Sequence, residues 1–275
     1  MRRLAMAALL LATVFGIAQA QVRVTVEGAV RTENTFTVPP GGRLSAAVLA
    51  AAPTPEAYPT GAVLLRRQAI QPQIRLKAGL AHDLEALQRS TDDPTLHAVA
   101  ADLAGWLATA PVTGRVRTRL EPRRLEFTPE ADFPAADDDR IVYPTRPTTI
   151  RIVGAVATPC ELPHVALRDA RDYIADCATR AADRDWLYVV QPDGEVLRLG
   201  IASWNRSPPR ALAPGAMLYV PLPERALRSL DDDFNAEFAA FLATQPLLAS
   251  DNMISKGAPY DGASTTAIPA VRPTP

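Results

Sequence analysis

Two cysteines, three histidines, a run of aspartates and a row of arginines are the side chains whose type and spacing could do chemistry here. Cys160 and Cys177 form an even pair. In an oxidising compartment that count favours a disulfide over two buried thiols, and a reactive or metal-binding pair ranks last because no CxxC spacing is present. His82, His97 and His164 make no HxxxH or HExxH motif. His82 and His97 lie on facing helices and could approach one another, but satisfied or solvated histidines are favoured, and no metal is expected. There is no GxSxG elbow, no phosphate-cradling glycine loop and no GxGxxG. The chain is therefore read as a non-enzyme without a cofactor. Asp137-Asp138-Asp139 lack the spaced oxygens and the glycine of a calcium loop and read as a solvated turn. Arg115, Arg117 and Arg119 alternate along one strand, which sets three guanidinia on one face, with Arg123 and Arg124 extending the cluster. Such a row is ordinarily an exposed edge. Its functional reading aims one Arg into an interdomain cleft, where a planar fork holds an acidic sugar or a carboxylate.

These side chains belong to a chain that begins like an exported one. Residues 1–20 read as a signal peptide: Met1-Arg2-Arg3 is basic, Leu4 to Ala18 is an uncharged, largely apolar run, and Ala18-Gln19-Ala20 is a small-x-small cleavage site. The run falls short of the roughly 20 residues that span a bilayer. Position 21 is Gln rather than the Cys of a lipoprotein, so the mature chain is expected to be soluble, with no later transmembrane segment. Removing Arg2 and Arg3 from the 29 basic residues leaves 27 against 30 acidic ones, a formal charge of −3, which gives no support for nucleic-acid binding. Twenty-six prolines and 6% aromatics suggest many strand ends and turns around Val, Leu and Ala cores.

The elements that must position the arginines and cysteines repeat. Val22 to Val26 alternates as a strand, Gly28-Ala29-Val30 turns, and Thr35 to Val38 returns as a hairpin partner. Leu44, Ala47, Val48 and Ala51 then make a helical stripe, and Ala62 to Leu65 a third strand. The order recurs in Thr149 to Val156, Cys160 to Leu162, a stripe of Leu167, Ala170, Ile174 and Cys177, Trp186 to Val190, a turn at Gln191 to Gly194, and Glu195 to Leu199. Ile141-Val142-Tyr143-Pro144 closes the first copy and Leu218-Tyr219-Val220-Pro221 the second.

The first copy spans 116 residues from Gly28 to Pro144 and the second 67 from Gly154 to Pro221. An insert at 68–111 explains the excess. Leu80, Leu84 and Leu87 give it one helical stripe and Leu96, Val99, Leu103 and Trp106 another, with Asp93 as N-cap and Pro94 at the first helical position. The fold class expected is α+β: two tandem β-grasp domains, 21–147 with the helical hairpin and 148–223. An amphipathic helix at 224–248 follows, with Ser229 and Asp231 as possible caps and Phe234, Phe238, Phe241 and Leu242 on its apolar face, then a flexible tail at 249–275. That apolar face is expected to dock on one domain.

The signal, the opening Val-x-Val-x-Gly-Ala-Val type strand, the Thr113-Gly114-Arg115-Val116 step after the insert, and the IVYP-then-IRIVGAV passage together resemble the GfcC family of capsule and exopolysaccharide biosynthesis proteins. The likeness runs over roughly 22–247. It implies a periplasmic protein without enzymatic activity, built like the soluble-ligand-binding β-grasp modules of polysaccharide exporters. It also implies a ligand-binding Arg115 near the cleft between modules, and as partner a polysaccharide or the export machinery. A protein-interaction adaptor that never touches sugar is the alternative. The resemblance does not account for the cysteine pair or the Pro/Thr-rich tail, and both rest on this sequence alone.

Overall fold

The computed structural model describes residues 21–247 apart from Ser229. The expected signal peptide, the cap at Ser229 and the tail lie outside the described residues.

Alternating Val24 and Val26 bury one face of β1 (Val22–Gly28), which pairs antiparallel with β2 (Asn34–Val38). Helix α1 (Leu44–Ala51) buries the four residues of its expected stripe. After β3 (Val63–Leu65) come two long helices, α2 (Ile70–Ser90) and α3 (Pro94–Thr109), and only then β4 (Arg115–Val116), a short α4 (Pro122–Phe127) and β5 (Asp139–Tyr143). Asp93 caps α3 as expected, its carboxylate accepting from the N–H groups of Thr95 and Leu96. The second half runs β6 (Thr149–Gly154), β7 (Cys160–Pro163), α5 (Ala170–Ile174), β8 (Trp186–Val190), β9 (Val196–Gly200) and β10 (Met217–Val220), followed by α6 (Glu224–Leu227) and α7 (Phe234–Ala243).

The repeat read from the residues is present in the topology. One five-stranded mixed sheet has the order β2-β1-β5-β3-β4 and the other β7-β6-β10-β8-β9, so each strand has its counterpart five positions on. In both, the first strand lies parallel to the last, β1 on β5 and β6 on β10.

The Gly-Ala-Val step marks the same joint twice. Gly28 and Gly154 take positive φ, 92° and 105°, and a Cβ there would come within 2.3 Å of the Tyr143 carbonyl oxygen and 2.2 Å of that of Val220. The next amide uses that closeness: Ala29 N–H donates to Tyr143 O at 2.7 Å and Ala155 N–H to Val220 O at 2.9 Å. Only glycine fits both the backbone angle and the gap.

Four expectations change. The stripe from Leu167 to Cys177 shrinks to the five residues of α5, because Asp169 holds extended backbone and its carboxylate accepts from Arg171 N–H, starting the helix at Ala170. Leu167 is left before it, 90% exposed and at φ 63°. Asp139 is not a solvated turn residue. It is buried under a two-bond fork from Arg66, at 2.8 and 2.6 Å, and also accepts from Ala136 N–H, while Asp137 and Asp138 stay exposed beside Arg23. The terminal helix is two segments, α6 and α7, and Asp231 accepts from Asp233 N–H at 2.9 Å rather than capping α7 directly. Finally, α7 does not dock on one sheet alone.

Leu80, Leu84 and Leu87 of α2, Val99, Leu103 and Leu107 of α3, and Phe234, Phe238, Phe241 and Leu242 of α7 share one apolar core with Ile152, Leu187, Val189 and Tyr219 of the second sheet. Trp106 leaves the inner face of α3 to meet Phe238 and Phe241, ring centroids 5.6 and 6.1 Å apart. The first sheet keeps a separate core around Val24, Val26, Leu44, Val48, Ile141 and Tyr143. The helices inserted into the first copy thus spend their apolar faces on the second sheet and the terminal helix.

Candidate functional site

The Thr-Gly-Arg step lies where the two halves meet, and each residue of it has a separate task. Thr113 sends its hydroxyl to the Thr244 carbonyl at 2.7 Å, just past the end of α7, and its oxygen accepts from Arg115 N–H at 3.1 Å. Gly114 turns the chain at φ 72° with no room for a Cβ, which would meet Arg66 O at 2.7 Å. Gln73 of α2 locks the turn from both sides, accepting from Gly114 N–H at 2.8 Å and donating to Arg115 O at 2.9 Å.

Arg115 is then aimed across the interface. Its guanidinium donates to the carbonyls of Ala243 and Gln245, each at 3.1 Å, and to that of Pro192 in the β8–β9 turn. The first two are orphan acceptors at the C-terminal end of α7, where a cation also meets the negative end of the helix dipole. The residue is 7% exposed. Burial lowers its pKa to about 10, with Asp193 opposing, so it stays a cation at neutral pH.

Strand β4 is only two residues long, yet the alternation read from the sequence persists beyond it. Arg117 pairs with Glu195 at 3.4 Å and Arg119 with Asp193 at 3.3 Å, so all three arginines reach the same turn of the second sheet. That turn is presented by Gly194 at φ 83°, whose N–H donates to Gln191 O. Any ligand for Arg115 would have to displace main-chain carbonyls that its fork now holds.

Two concavities lie between segments of the first and second halves. A shallow one of about 290 Å³ is lined by Thr60 from the first half and by Gln191, Asp193, Glu195 and Arg210 from the second. The larger, about 640 Å³, opens between the α2–α3 tip, through Asp93 and Leu96, and the second sheet, through Leu187, Ile201 and Val220, with Arg184, Trp186 and Arg225 also on its wall. Arg180 bonds Asp102 of α3 nearby and ties the helices to the second half. The sequence did not point to this cleft, because its walls come from separate segments spread from Asp93 to Ala226 and carry no motif.

The cysteines are joined. Cys160 at the start of β7 and Cys177, three residues past α5, form a disulfide with Cα atoms 6.1 Å apart. The histidines are not brought into a site: among the described residues no cluster of His, Cys, Asp or Glu could hold a metal ion, and His164 meets the Leu212 carbonyl at 2.9 Å. No helix among the described residues is long and apolar enough to cross a membrane.

Comparison with known proteins agrees with the second half most directly. Residues 158–246, from the disulfide hairpin to the end of α7, match the family described as capsule biosynthesis GfcC C-terminal. The chain is also 26% identical over 180 residues to the uncharacterized protein YjbG of Escherichia coli (strain K12), covering 64% of this chain and 72% of that protein. The β8–β9 turn, the disulfide and α7 all lie inside the matched span, so it is the second half, residues 158–246, that is similar to the GfcC C-terminal family of capsule biosynthesis.

Proposed function

We propose that this protein is a non-catalytic, periplasmic accessory component of capsule or exopolysaccharide production. In this reading it is two tandem β-grasp units that offer the cleft between them to polysaccharide. The family match over 158–246 carries the proposal, because that span supplies most of the wall of the 640 Å³ cleft. The identical strand order of the two sheets supports the β-grasp reading of each.

The carboxylates on the cleft wall support a binding rather than an acid/base role. Asp93 caps α3, and Asp183 accepts from the N–H groups of Asp185, Trp186 and Glu224. Both carboxylates are thus taken up by backbone N–H groups and have structural tasks of their own. Arg115 enters as a positioning residue that fixes the angle between the halves and so the width of the cleft, the role its three carbonyl partners support.

The test is removal of the gene from the source organism, with exopolysaccharide output measured alongside binding of the purified protein to that polymer. Loss of output together with saturable binding is expected. Unchanged output would refute the proposal. An adaptor that never touches sugar is favoured by the exposed Val165 and Leu167 beside β7, and loss of output without any polymer binding would select it.

A further inference from the structure

Against Trp186 on the wall of the larger cleft stands a second tryptophan, which the fold goes to some length to keep in water. Trp204, in the loop after β9, is 71% exposed. The loop is tied at every step: Ala202 N–H donates to Asn205 Oδ1 at 3.1 Å, Asn205 Nδ2 to Asp185 O at 2.9 Å, Gly200 N–H to Ser207 Oγ at 2.9 Å, and Ser207 N–H to Gly200 O at 3.0 Å. A Cβ on Gly200 would sit 1.9 Å from Asn205 O, so the strand end is shaped to receive the loop.

The indole itself is fixed. Its Nε1–H donates to Asp185 Oδ1 at 3.2 Å, and its ring meets Trp186 edge to face with centroids 6.2 Å apart and planes at 86°. Trp186 lines the cleft and is in turn covered on one face by Arg198, whose guanidinium carbon lies 3.6 Å from the ring centre. A rigid, exposed aromatic surface loses little conformational freedom when something stacks on it, which is how preorganisation raises affinity.

The cleft wall carries two carboxylates and two guanidinia, and only the guanidinia keep their donors free. Arg184 and Arg225 line the cleft, are exposed, and pair with no carboxylate among the described residues. Asp93 is spent on the amides of Thr95 and Leu96 and Asp183 on three backbone amides, while Glu224, beside the cleft, is held by Arg198. The cleft therefore offers free cationic donors, an apolar floor and one stacking platform. We propose that it binds an anionic saccharide, the C–H face of a pyranose resting on Trp204 and its acidic substituent held by Arg184 and Arg225. Indole faces carry the negative side of the ring quadrupole and suit polarised C–H groups, and a guanidinium fork suits a carboxylate. The proposal deepens the exopolysaccharide reading and rests on it.

Hexasaccharides of hyaluronan and of polymannuronate, each with its carboxyl-reduced counterpart, are titrated into wild type, Trp204→Ala and Arg184→Ala/Arg225→Ala by calorimetry and tryptophan fluorescence. The substituted residues are exposed, and unchanged circular dichroism and Tm verify folding. Expected is saturable binding of at least one acidic hexasaccharide, weakened tenfold or more by carboxyl reduction and by each variant. Binding of neither acidic sugar at millimolar concentration, equal binding of the reduced form, or equal binding by Trp204→Ala would overturn the site. The same variants are returned to the deletion strain. Full restoration of polymer output by Trp204→Ala would also overturn the site and leave the exopolysaccharide role standing. Output that never depended on the chain would remove that role and the inference with it.

Discussion

Replacing Arg115 with Ala should weaken the whole fold, because its fork is the main polar tie between the two halves. Hydrogen bonds from a charged donor are worth about 1.5–3 kcal/mol each, so three of them total about 4.5–9 kcal/mol. Burial takes part of this back. The pKa falls from 12.5 to about 10 with the help of Asp193 already counted, and at about 1.4 kcal/mol per unit that is a cost of about 3 kcal/mol. The balance predicts a loss of about 1.5–6 kcal/mol for Arg115→Ala, read as a fall in the urea midpoint at unchanged slope. Arg115→Lys keeps the charge but cannot span three carbonyls and should fall between the two. A loss under about 0.5 kcal/mol, or a lysine variant equal to wild type, would refute the interlocking role.

Three further outcomes test other parts of the fold. Reducing the Cys160–Cys177 bond, or replacing both residues with Ser, should cost about 3 kcal/mol for a loop of this length, and alkylation of the native protein without reductant should label no thiol. Gly28→Ala and Gly154→Ala should each destabilise by more than about 2 kcal/mol, since both break a positive φ and a close carbonyl contact. Gly79→Ala, in open space on α2, should stabilise by about 0.5–1 kcal/mol, and thermal melts compare all three. Burial raises the Tyr143 phenol, with Glu121 adding, and the wholly buried Tyr219 phenol, with Tyr188 adding. Below the unperturbed value of 10.0 both are protonated in either state. Above it only the unfolded chain ionises, so stability should fall by about 1.4 kcal/mol per pH unit per phenol, partly offset by Arg115, whose depressed pKa acts in the opposite sense. Tyr143→Phe and Tyr219→Phe should each flatten that alkaline slope in equilibrium unfolding, and an unchanged slope would count against the burial argument.

What the residues made legible was local. Alternation, the Gly-Ala-Val joints, the Asp93-Pro94 helix start and the Gln191 to Gly194 turn are each decided within a few positions, and all appear in the structure. The row of arginines was legible as a single face, but its destination was not, because Pro192, Ala243 and Gln245 lie 77 to 130 positions away. Leu167 misled for the opposite reason: its spacing fits a stripe, but a competing Asp169 cap starts the helix after it. Asp139 looked like its two neighbours until a distant Arg66 gave it a partner worth burying. The cleft wall escaped altogether, since Arg184, Trp186 and Arg225, with Trp204 beside them, show no pattern in one dimension and acquire one only when β8, the loop after β9 and α6 converge.

The shared core of α2, α3 and α7 bears on how the chain reaches its native state. A polypeptide made from its N-terminus presents Leu80, Leu84 and Leu103 long before Phe238 and Phe241 exist to cover them, and Arg115 waits 128 residues for the Ala243 carbonyl. Contacts of such separation are slow to close and leave apolar surface open in the interval. Truncation ahead of α7 should therefore yield an aggregating product rather than a smaller working piece, and completion of the last helix is the event that makes the first half soluble.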